Sequence, residues 1–175
     1  PIVAKIEHPA ALKNLDSILD VADAVMVARG DLGVEIPLED VPMAQQRIID
    51  KALERGMPVI VATQMLESMT LQPRPTRAEV SDVSTAIRHG ATGVMLSGET
   101  ASGQYPLETV KTMAKIAYAT EQGLGSHDQR PNALARFRST RAVAHAGVEL
   151  AKEAGATRIV VATEHGNAPR LVSGY

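Results

Sequence analysis

Short apolar runs alternate with helical segments along most of the chain, and this alternation limits the fold more than any other feature. The four predicted strands are Ile2 to Ile6, Ala24 to Ala28, Pro58 to Ala62 and Gly93 to Leu96. Helical apolar periodicity covers Ala11 to Val21, Pro42 to Arg55, Thr76 to His89 and Pro106 to Gln122. Strands that alternate with helices in this way predict βα units around a parallel sheet.

Local signals support several of these boundaries. Thr76 and Glu79 have the spacing of a capping box, which marks the start of a helix. Pro106 suits the first position of the last long helix of the series. The third strand is almost purely apolar, so we expect it to be covered on both faces.

The number of units indicates how much of a fold is present. A complete (βα)₈ barrel takes about 250 residues, whereas this chain has 175 residues and about four βα units. We predict an α/β fold: half of a TIM-type (βα)₈ barrel, followed by the start of a second α/β domain. The missing units would belong to an absent part of the chain or to a partner copy.

The domain boundaries follow from composition. We assign residues 1–122 to the C-terminal half of the barrel and residues 123–138, which include glycine and proline, to a linker. Residues 139–175 would begin an incomplete second domain, with a helix at Ser139 to Glu153 and a strand at Arg158 to Ala162. The chain begins inside a predicted strand and stops without a closing element, so we expect a piece of a longer polypeptide.

The composition argues against several classes of function. The net charge is −2 and aromatic residues make up 2% of the chain, so nucleic acid is not an expected partner. The absence of cysteine excludes disulfides and thiolate metal sites, and it suits a cytoplasmic protein. No apolar run approaches the ~20 residues that span a bilayer, so no membrane partner is expected.

Polar side chains lie at or just after the carboxyl end of each predicted strand, although the strand interiors are nearly all apolar. They are Lys5 and Glu7, Arg29 and Asp31, Thr63 with Gln64 and Glu67, and Ser97 with Glu99. In a barrel of parallel strands the active site lies at the carboxyl ends of the strands. The sequence therefore predicts a site at this edge.

Lys5 and Glu7 are two residues apart on one strand and therefore point the same way. They could form an ion pair at a barrel rim, or serve as a cation for phosphate beside a metal ligand. Asp31 follows a glycine and could be a turn residue. Together, Glu7 and Asp31 match the two carboxylates that proteins commonly supply to Mg²⁺.

The remaining polar residues also leave alternatives open. Thr63 and Ser97 could each bond a loop carbonyl, or as a pair orient water or relay a proton. Arg29 could contact a ligand or pair with a neighbouring loop acid, and Glu99 could be an ion-pair partner at the rim. The tripeptide of residues 29–31 also spells a cell-adhesion motif, a use that does not suit a segment following a buried strand. The five histidines show no metal-ligand spacing.

Several blocks of residues, in this order and spacing, resemble the pyruvate kinase family. They are Ala4 to Glu7, Met26 to Pro37, Ala62 to Met69, Pro75 to Val83 and Val94 to Ala101. The resemblance covers residues 1 to about 120, and from residue 139 it extends more loosely to the start of that family's C-terminal domain. It implies phosphoryl transfer from phosphoenolpyruvate to ADP, which gives pyruvate and ATP.

The resemblance also implies roles by position. Lys5 would neutralise the phosphoryl group in transfer, and Glu7 and Asp31 would bind Mg²⁺ or Mn²⁺. The backbone N–H groups of Gly30 and Asp31, with the Thr63 hydroxyl, would hold the substrate carboxylate. Thr63 and Ser97 would belong to the network that delivers a proton to the enolate. The full-length family forms homotetramers and uses K⁺, whose ligands are not in this chain.

Two departures from the family pattern matter. His8 stands where the family usually has a small polar residue. Residues Thr163 to Ala168 align with a loop that binds a sugar-phosphate effector in some members, but Glu164 adds negative charge there. We therefore expect no response to fructose bisphosphate through this loop.

The sequence leaves open whether this chain is catalytically active and which reaction it would serve. The family's arginine from an earlier strand and its nucleotide-covering domain are absent, so we expect no turnover by these 175 residues alone. One alternative is another Mg²⁺-dependent, enolate-forming barrel enzyme, an aldolase or lyase, which would not need Lys5. Another is a non-catalytic piece that self-associates, for instance as a dimer that covers its open sheet edges.

Overall fold

The computed structural model describes residues 1–124, 138–164 and 166–173. The predicted linker, residues 123–138, falls almost entirely on residues 125–137, which lie outside the described residues.

Four parallel strands form one sheet in the order in which they occur in the chain. The strands are β1 (Val3–Ile6), β2 (Ala24–Ala28), β3 (Val59–Ala62) and β4 (Gly93–Met95). Lys5 is in register with Met26, and Met26 with Ile60. The prediction of a parallel α/β sheet is confirmed, and all four strand ends meet at one edge.

Helices connect and follow the strands. They are α1 (Pro9–Lys13), α2 (Leu15–Leu19), α3 (Arg29–Glu35), α4 (Val41–Glu54), α5 (Arg77–Arg88), α6 (Gly98–Ala101), α7 (Pro106–Leu124), α8 (Arg138–Glu153) and α9 (Asn167–Val172). Two short 3₁₀ turns lie at Leu38–Asp40 and Glu67–Thr70. The capping box at Thr76 and Glu79 is present at the start of α5.

The helix predicted over Ala11 to Val21 is interrupted. Asn14 has φ −102° and ψ 20°, which ends α1 and precedes α2. The Asn14 side chain donates to the Ala10 backbone carbonyl at 2.9 Å, and the Asn14 backbone carbonyl accepts from the Ser17 hydroxyl at 2.8 Å. Asparagine competes with the helix ladder through such local bonds, and apolar spacing alone does not register this competition.

One face of the sheet carries the apolar core. Its fully buried strand residues are Val25, Val27, Val59 and Val61, and they cluster with Ile48 and Ile49 of α4 and Val83 of α5. Each such side chain contributes about 1.5–3 kcal/mol by leaving water. On the opposite face, Met26 and Ile60 are half-buried, whereas Ala28 and Ala62 at the carboxyl ends of their strands are fully buried. The expectation that β3 is covered on both faces is therefore correct for its helix-facing side and for Ala62, and wrong for the half-buried Ile60.

The part of the chain after residue 138 differs from the sequence-based expectation. The strand predicted at Arg158 to Ala162 does not form, and Val160 is 95% exposed. Among the described residues no strand lies beside this segment, and a strand needs a partner for its backbone N–H and C=O groups. Helix α9 reaches the rest of the protein through Leu171, whose side chain lies against Gly56.

Within the described ranges, every helix is too short or too polar to cross a lipid bilayer.

Candidate functional site

The first cluster at the carboxyl edge of the sheet is ionic, and we call Lys5, Glu7 and Asp31 the charged cluster. Lys5 Nζ lies 2.7 Å from Asp31 Oδ2 and also contacts Glu7 Oε2. The three side chains are about half exposed, at 49%, 44% and 56%. The structure thus joins residues from two neighbouring strand ends, as expected from the sequence.

Mutual hydrogen bonding sets the charge states of this cluster. The hydrogen bond to Asp31, followed by that to Glu7, raises the pKa of Lys5 above its ordinary value of 10.5. The hydrogen bond from Lys5 lowers the pKa of Asp31 below its ordinary value of 3.8. At neutral pH, Lys5 is therefore cationic and Asp31 anionic.

The two carboxylates fit a divalent cation. Oxygens of Glu7 and Asp31 both reach one positive group, the Lys5 ammonium, so they already converge on a common cation position. Within the described ranges, no group of three or more His, Cys, Asp or Glu side chains is arranged to hold a metal. Two carboxylates with water completing the shell are the usual protein share of a Mg²⁺ site.

Asp31 is not a turn residue, which corrects one of the alternatives for this position. Helix α3 begins directly after β2, and Asp31 lies in its first turn. A carboxylate there interacts favourably with the positive end of the helix dipole. The helix has only seven residues, too few for apolar periodicity to reveal it from sequence.

Thr63 follows β3 and contacts the backbone of α3. Its Oγ1 accepts from Gly30 N at 2.7 Å and donates to the Ala62 carbonyl at 2.6 Å. A Cβ at Gly30 would lie 3.3 Å from that oxygen, so the close approach favours glycine. Gly30 and Thr63, which the family resemblance assigns to one substrate group, are therefore adjacent.

The backbone after β3 is strained. Thr63 has φ +71° and Gln64 has φ +53°. Residues other than glycine in this left-handed region cost of the order of 1–3 kcal/mol each, and they persist only where the surroundings hold them.

Arg29 contacts this strained segment directly. We call Arg29, Asp82, Thr63 and Gln64 the arginine clamp. Arg29 Nη1 lies 2.7 and 2.6 Å from the two carboxylate oxygens of Asp82. Its Nη2 donates to the Thr63 and Gln64 carbonyls at 2.8 and 3.0 Å. The Arg29 side chain is only 10% exposed and forms an ion pair with Asp82. This agrees with the sequence-based alternative in which Arg29 pairs with an acid. The acid lies on helix α5, not in a loop, and the adhesion motif is not displayed.

Glu99 is not an ion-pair partner at the rim, which corrects the sequence-based expectation. Its side chain is fully buried. One carboxylate oxygen accepts from Leu66 N at 3.2 Å and the other from Ser97 N at 2.7 Å. Glu99 therefore ties the loop after β3 to the loop after β4, where it satisfies two backbone donors.

Ser97 lies at the strand end as predicted, immediately before α6. The hydrogen bonds of the described residues do not connect its hydroxyl to Thr63. The two loops are joined instead through Glu99, so the Thr63–Ser97 relay remains a prediction.

Sequence reasoning missed the supporting acids. Glu79 was recognised only as a cap, yet it also accepts from Ser68 N at 2.7 Å and Ser68 Oγ at 2.6 Å. Asp82 lies three residues further along α5, a spacing that places two side chains on one helix face. That spacing was the available signal that both acids face the loop after β3.

The site and fold together define a class: a parallel α/β enzyme fold with its charged groups at the strand ends. A family model described as the pyruvate kinase barrel domain matches residues 1–110. The chain belongs to the pyruvate kinase family.

Individual relatives agree with this assignment. Pyruvate kinase of Geobacillus stearothermophilus is 50% identical over 99% of this chain and 30% of its own length. Pyruvate kinase 1 of Saccharomyces cerevisiae is 51% identical over 99% of this chain and 36% of its own length. The crystal structure of a pyruvate kinase from Cryptosporidium parvum superposes with a TM-score of 0.88 at 42% identity, covering 99% of this chain and 36% of that one. The chain thus spans about a third of the length of these relatives.

Proposed function

We propose that this chain contributes part of the active site of a pyruvate kinase, a phosphotransferase that moves a phosphoryl group from phosphoenolpyruvate to ADP and yields pyruvate and ATP. The observation that carries the proposal is the charged cluster, in which Lys5 contacts Glu7 and Asp31. A lysine and two carboxylates at one strand edge are the groups that phosphoryl transfer needs for charge neutralisation and metal binding.

The proposed domain organisation extends the described fold. Residues 1–122 would be half of a (βα)₈ barrel, residues 123–138 a linker, and residues 139–175 the start of a second α/β domain. The half-buried sheet face at Met26 and Ile60 supports this organisation, because a complete barrel fills its interior with such side chains. The sheet edges β1 and β4 would pair with further strands of a longer polypeptide or with a second copy.

The charged cluster would act by rearrangement. Glu7 and Asp31 would hold Mg²⁺ or Mn²⁺, which supplies positive charge for the substrate oxygens when bound. Lys5, released from its two carboxylates, would face the phosphoryl group and neutralise it during transfer. Half-exposed side chains can make this exchange at low cost, because surface ion pairs contribute only about 0–1 kcal/mol.

The other site residues would bind the carboxylate end of the substrate. Backbone N–H groups at Gly30 and Asp31, together with the Thr63 hydroxyl, would hold the substrate carboxylate. The Gly30 N–H now donates to Thr63 Oγ1, so the hydroxyl and the carboxylate would share this donor. Thr63 and Ser97 would deliver a proton to the enolate carbon that phosphoryl loss leaves behind.

The remaining proposals concern context. The partners would be phosphoenolpyruvate and ADP or ATP, in a cytoplasmic homotetramer without nucleic-acid or membrane partners. K⁺ would bind only to a complete polypeptide that supplies its ligands. Glu164 would prevent a fructose-bisphosphate response. Its replacement by lysine should strengthen any such response in an activity titration, and a response that this change leaves unaltered would contradict the idea.

The decisive experiment replaces Lys5 in the full-length polypeptide that carries these residues. We expect Lys5→Met to lower pyruvate formation from phosphoenolpyruvate and ADP by about 10³-fold. Exchange of the pyruvate methyl protons with solvent, which requires no phosphoryl group, should largely persist. If both activities fell together, the proposed role of Lys5 in phosphoryl transfer would be wrong. That outcome would not support the aldolase or lyase alternative either, because such an enzyme would not need Lys5.

A matched control tests whether any lysine–aspartate pair matters. Lys51 Nζ lies 3.1 Å from Asp16 Oδ1, and this ion pair is outside the charged cluster. Lys51→Met should therefore retain full turnover. The 175-residue chain alone should show no turnover. Absence of phosphoenolpyruvate-dependent ATP formation by the unmodified full-length polypeptide would overturn the proposed function itself.

A further inference from the structure

Arg29 makes an unusual set of bonds for a residue beside a substrate site. Its guanidinium donates to both carboxylate oxygens of Asp82 and to the carbonyls of Thr63 and Gln64. A further contact, at 2.8 Å, joins Nη2 to Met65 Sδ. The Arg29 guanidinium is thus hydrogen-bonded to protein atoms, although Arg29 directly precedes Gly30 and Asp31, which are proposed to bind substrate.

The carbonyls that Arg29 binds belong to the two residues with positive φ, Thr63 at +71° and Gln64 at +53°. A β-branched residue such as threonine rarely adopts this conformation without support from its surroundings. The same conformation directs Thr63 Oγ1 toward Gly30 N, at 2.7 Å. Arg29 therefore binds the backbone segment whose conformation sets the position of this hydroxyl.

We propose that Arg29, anchored by Asp82, is a positioning residue that holds the Thr63 hydroxyl at the substrate carboxylate site through the carbonyls of Thr63 and Gln64. The inference rests on the proposed function and deepens it, because it assigns Arg29 a task in substrate placement without contact to the substrate. The geometry requires a planar fork. A lysine has a single ammonium group and cannot bind Asp82 and both carbonyls in one plane.

The test uses Arg29→Lys in the full-length polypeptide. The change keeps the positive charge but removes the fork, so kcat should fall about 10²-fold, as expected for a displaced reacting group. Thr63→Val should lower kcat in the unmodified enzyme but cost less than about 3-fold in the Arg29→Lys background, since both changes remove the same interaction. Multiplying losses would show that Arg29 acts independently of Thr63 and would overturn the proposal.

Arg55→Lys is the matched control. Arg55 is equally shielded, with a side chain 6% exposed, and it pairs with Asp16 and Asp20 on the other side of the protein. The control should lower the thermal midpoint to a similar degree, leave kcat unchanged, and combine multiplicatively with Thr63→Val. An equal loss of kcat in both arginine variants would reduce Arg29 to a general stabilising role and contradict the proposal.

Two further measurements keep the inference testable. If Arg29→Lys does not fold, Asp82→Asn removes only the anchor and should lower kcat by a smaller factor, about 10-fold, with the same coupling to Thr63. Should the unmodified enzyme fail to make pyruvate, the proposed function fails. A crystal structure of Arg29→Lys or Asp82→Asn would still decide the clamp, because Thr63 and Gln64 should then relax from positive φ. Retention of both positive φ values would overturn it.

Discussion

The charged cluster and the arginine clamp lie at the same edge of one sheet, yet they are built in opposite ways. Lys5, Glu7 and Asp31 are about half exposed and, among the described residues, form ion pairs only with one another. Arg29 is 10% exposed and donates hydrogen bonds to Asp82, Thr63, Gln64 and Met65. Under the proposed function, the comparison separates groups that would exchange partners during the reaction from groups that would stay fixed.

Physical chemistry explains the division. Exposed ion pairs contribute about 0–1 kcal/mol, so water, a metal ion or substrate can displace them. A shielded arginine whose donors are all paired loses several strong hydrogen bonds if it moves, each worth about 1.5–3 kcal/mol. The clamp can therefore maintain a strained loop, and the charged cluster can rearrange beside it.

The largest expected effect comes from the charged cluster and appears in activity. Asp31→Asn should lower phosphoryl transfer by the full-length enzyme about 10³-fold and raise the Mg²⁺ concentration that gives half-maximal activity. The thermal midpoint should change little, because the side chain is 56% exposed. A large fall in thermal midpoint would show that the cluster is structural and would erase the contrast with the clamp.

The next effect concerns the buried region and appears in stability. Glu99→Ala should lower the free energy of unfolding by about 2–4 kcal/mol, since it leaves the Leu66 and Ser97 N–H groups unpaired and opens a cavity. Denaturant unfolding of the full-length polypeptide would measure this loss. Glu121→Ala, at an exposed position of α7, is the control and should change stability by less than about 0.5 kcal/mol.

The third prediction tests a half-buried acid between the two extremes. Burial raises the pKa of Glu79, but hydrogen bonds from Ser68 and Thr76 outweigh it and leave the pKa below the ordinary value of 4.5. A lowered folded-state pKa stabilises the protein above the unfolded pKa, and this contribution disappears as pH falls through the folded value.

Glu79→Gln should therefore be less stable than the unmodified enzyme at pH 7, by about 1 kcal/mol, and the difference should shrink below pH 4.5. Thermal midpoints across pH 3 to 7 would measure it. A difference that stays constant over this range would mean that the charge of Glu79 contributes nothing.

The smallest expected effect is the stability change from Lys5→Gln, because exposed ion pairs contribute little to stability. Unfolding in denaturant at low and high salt would measure it, and salt should reduce whatever difference exists. A loss of stability as large as that expected for Glu99→Ala would show that Lys5 is held as firmly as Arg29, and the division between the two regions would be wrong.

Much of the fold was predictable because local patterns reflect it directly. The apolar runs indicated β1 to β4, and the capping box at Thr76 marked the start of α5. The helices α3 and α6, with seven and four residues, are too short for a periodic signal. The predicted strand at residues 158–162 failed because strand formation depends on a partner, which local apolar content does not reveal.

The proximity of the candidate site residues was predictable from the sequence, whereas several of their contacts were not. Lys5, Glu7 and Asp31 could be grouped because strand ends of a parallel sheet meet at one edge. Glu99 was misplaced at the rim because its burial depends on packing between two loops. Asp82 was missed as the partner of Arg29 because the two residues are far apart in sequence, and only the folded chain brings α5 to the start of α3.

By itself, the sequence determined the alternation of strands and helices, the polar residues at the strand ends, and the resemblance that names the family. Hydrophobic periodicity, capping residues and residue order all operate over short distances along the chain, so they can be read without coordinates. Only the tertiary structure decided which acid binds Arg29, that Glu99 is buried, and that Thr63 and Gln64 are held at positive φ. Those outcomes depend on burial and on hydrogen bonds between distant segments, which exist only once the sheet and its loops have packed together.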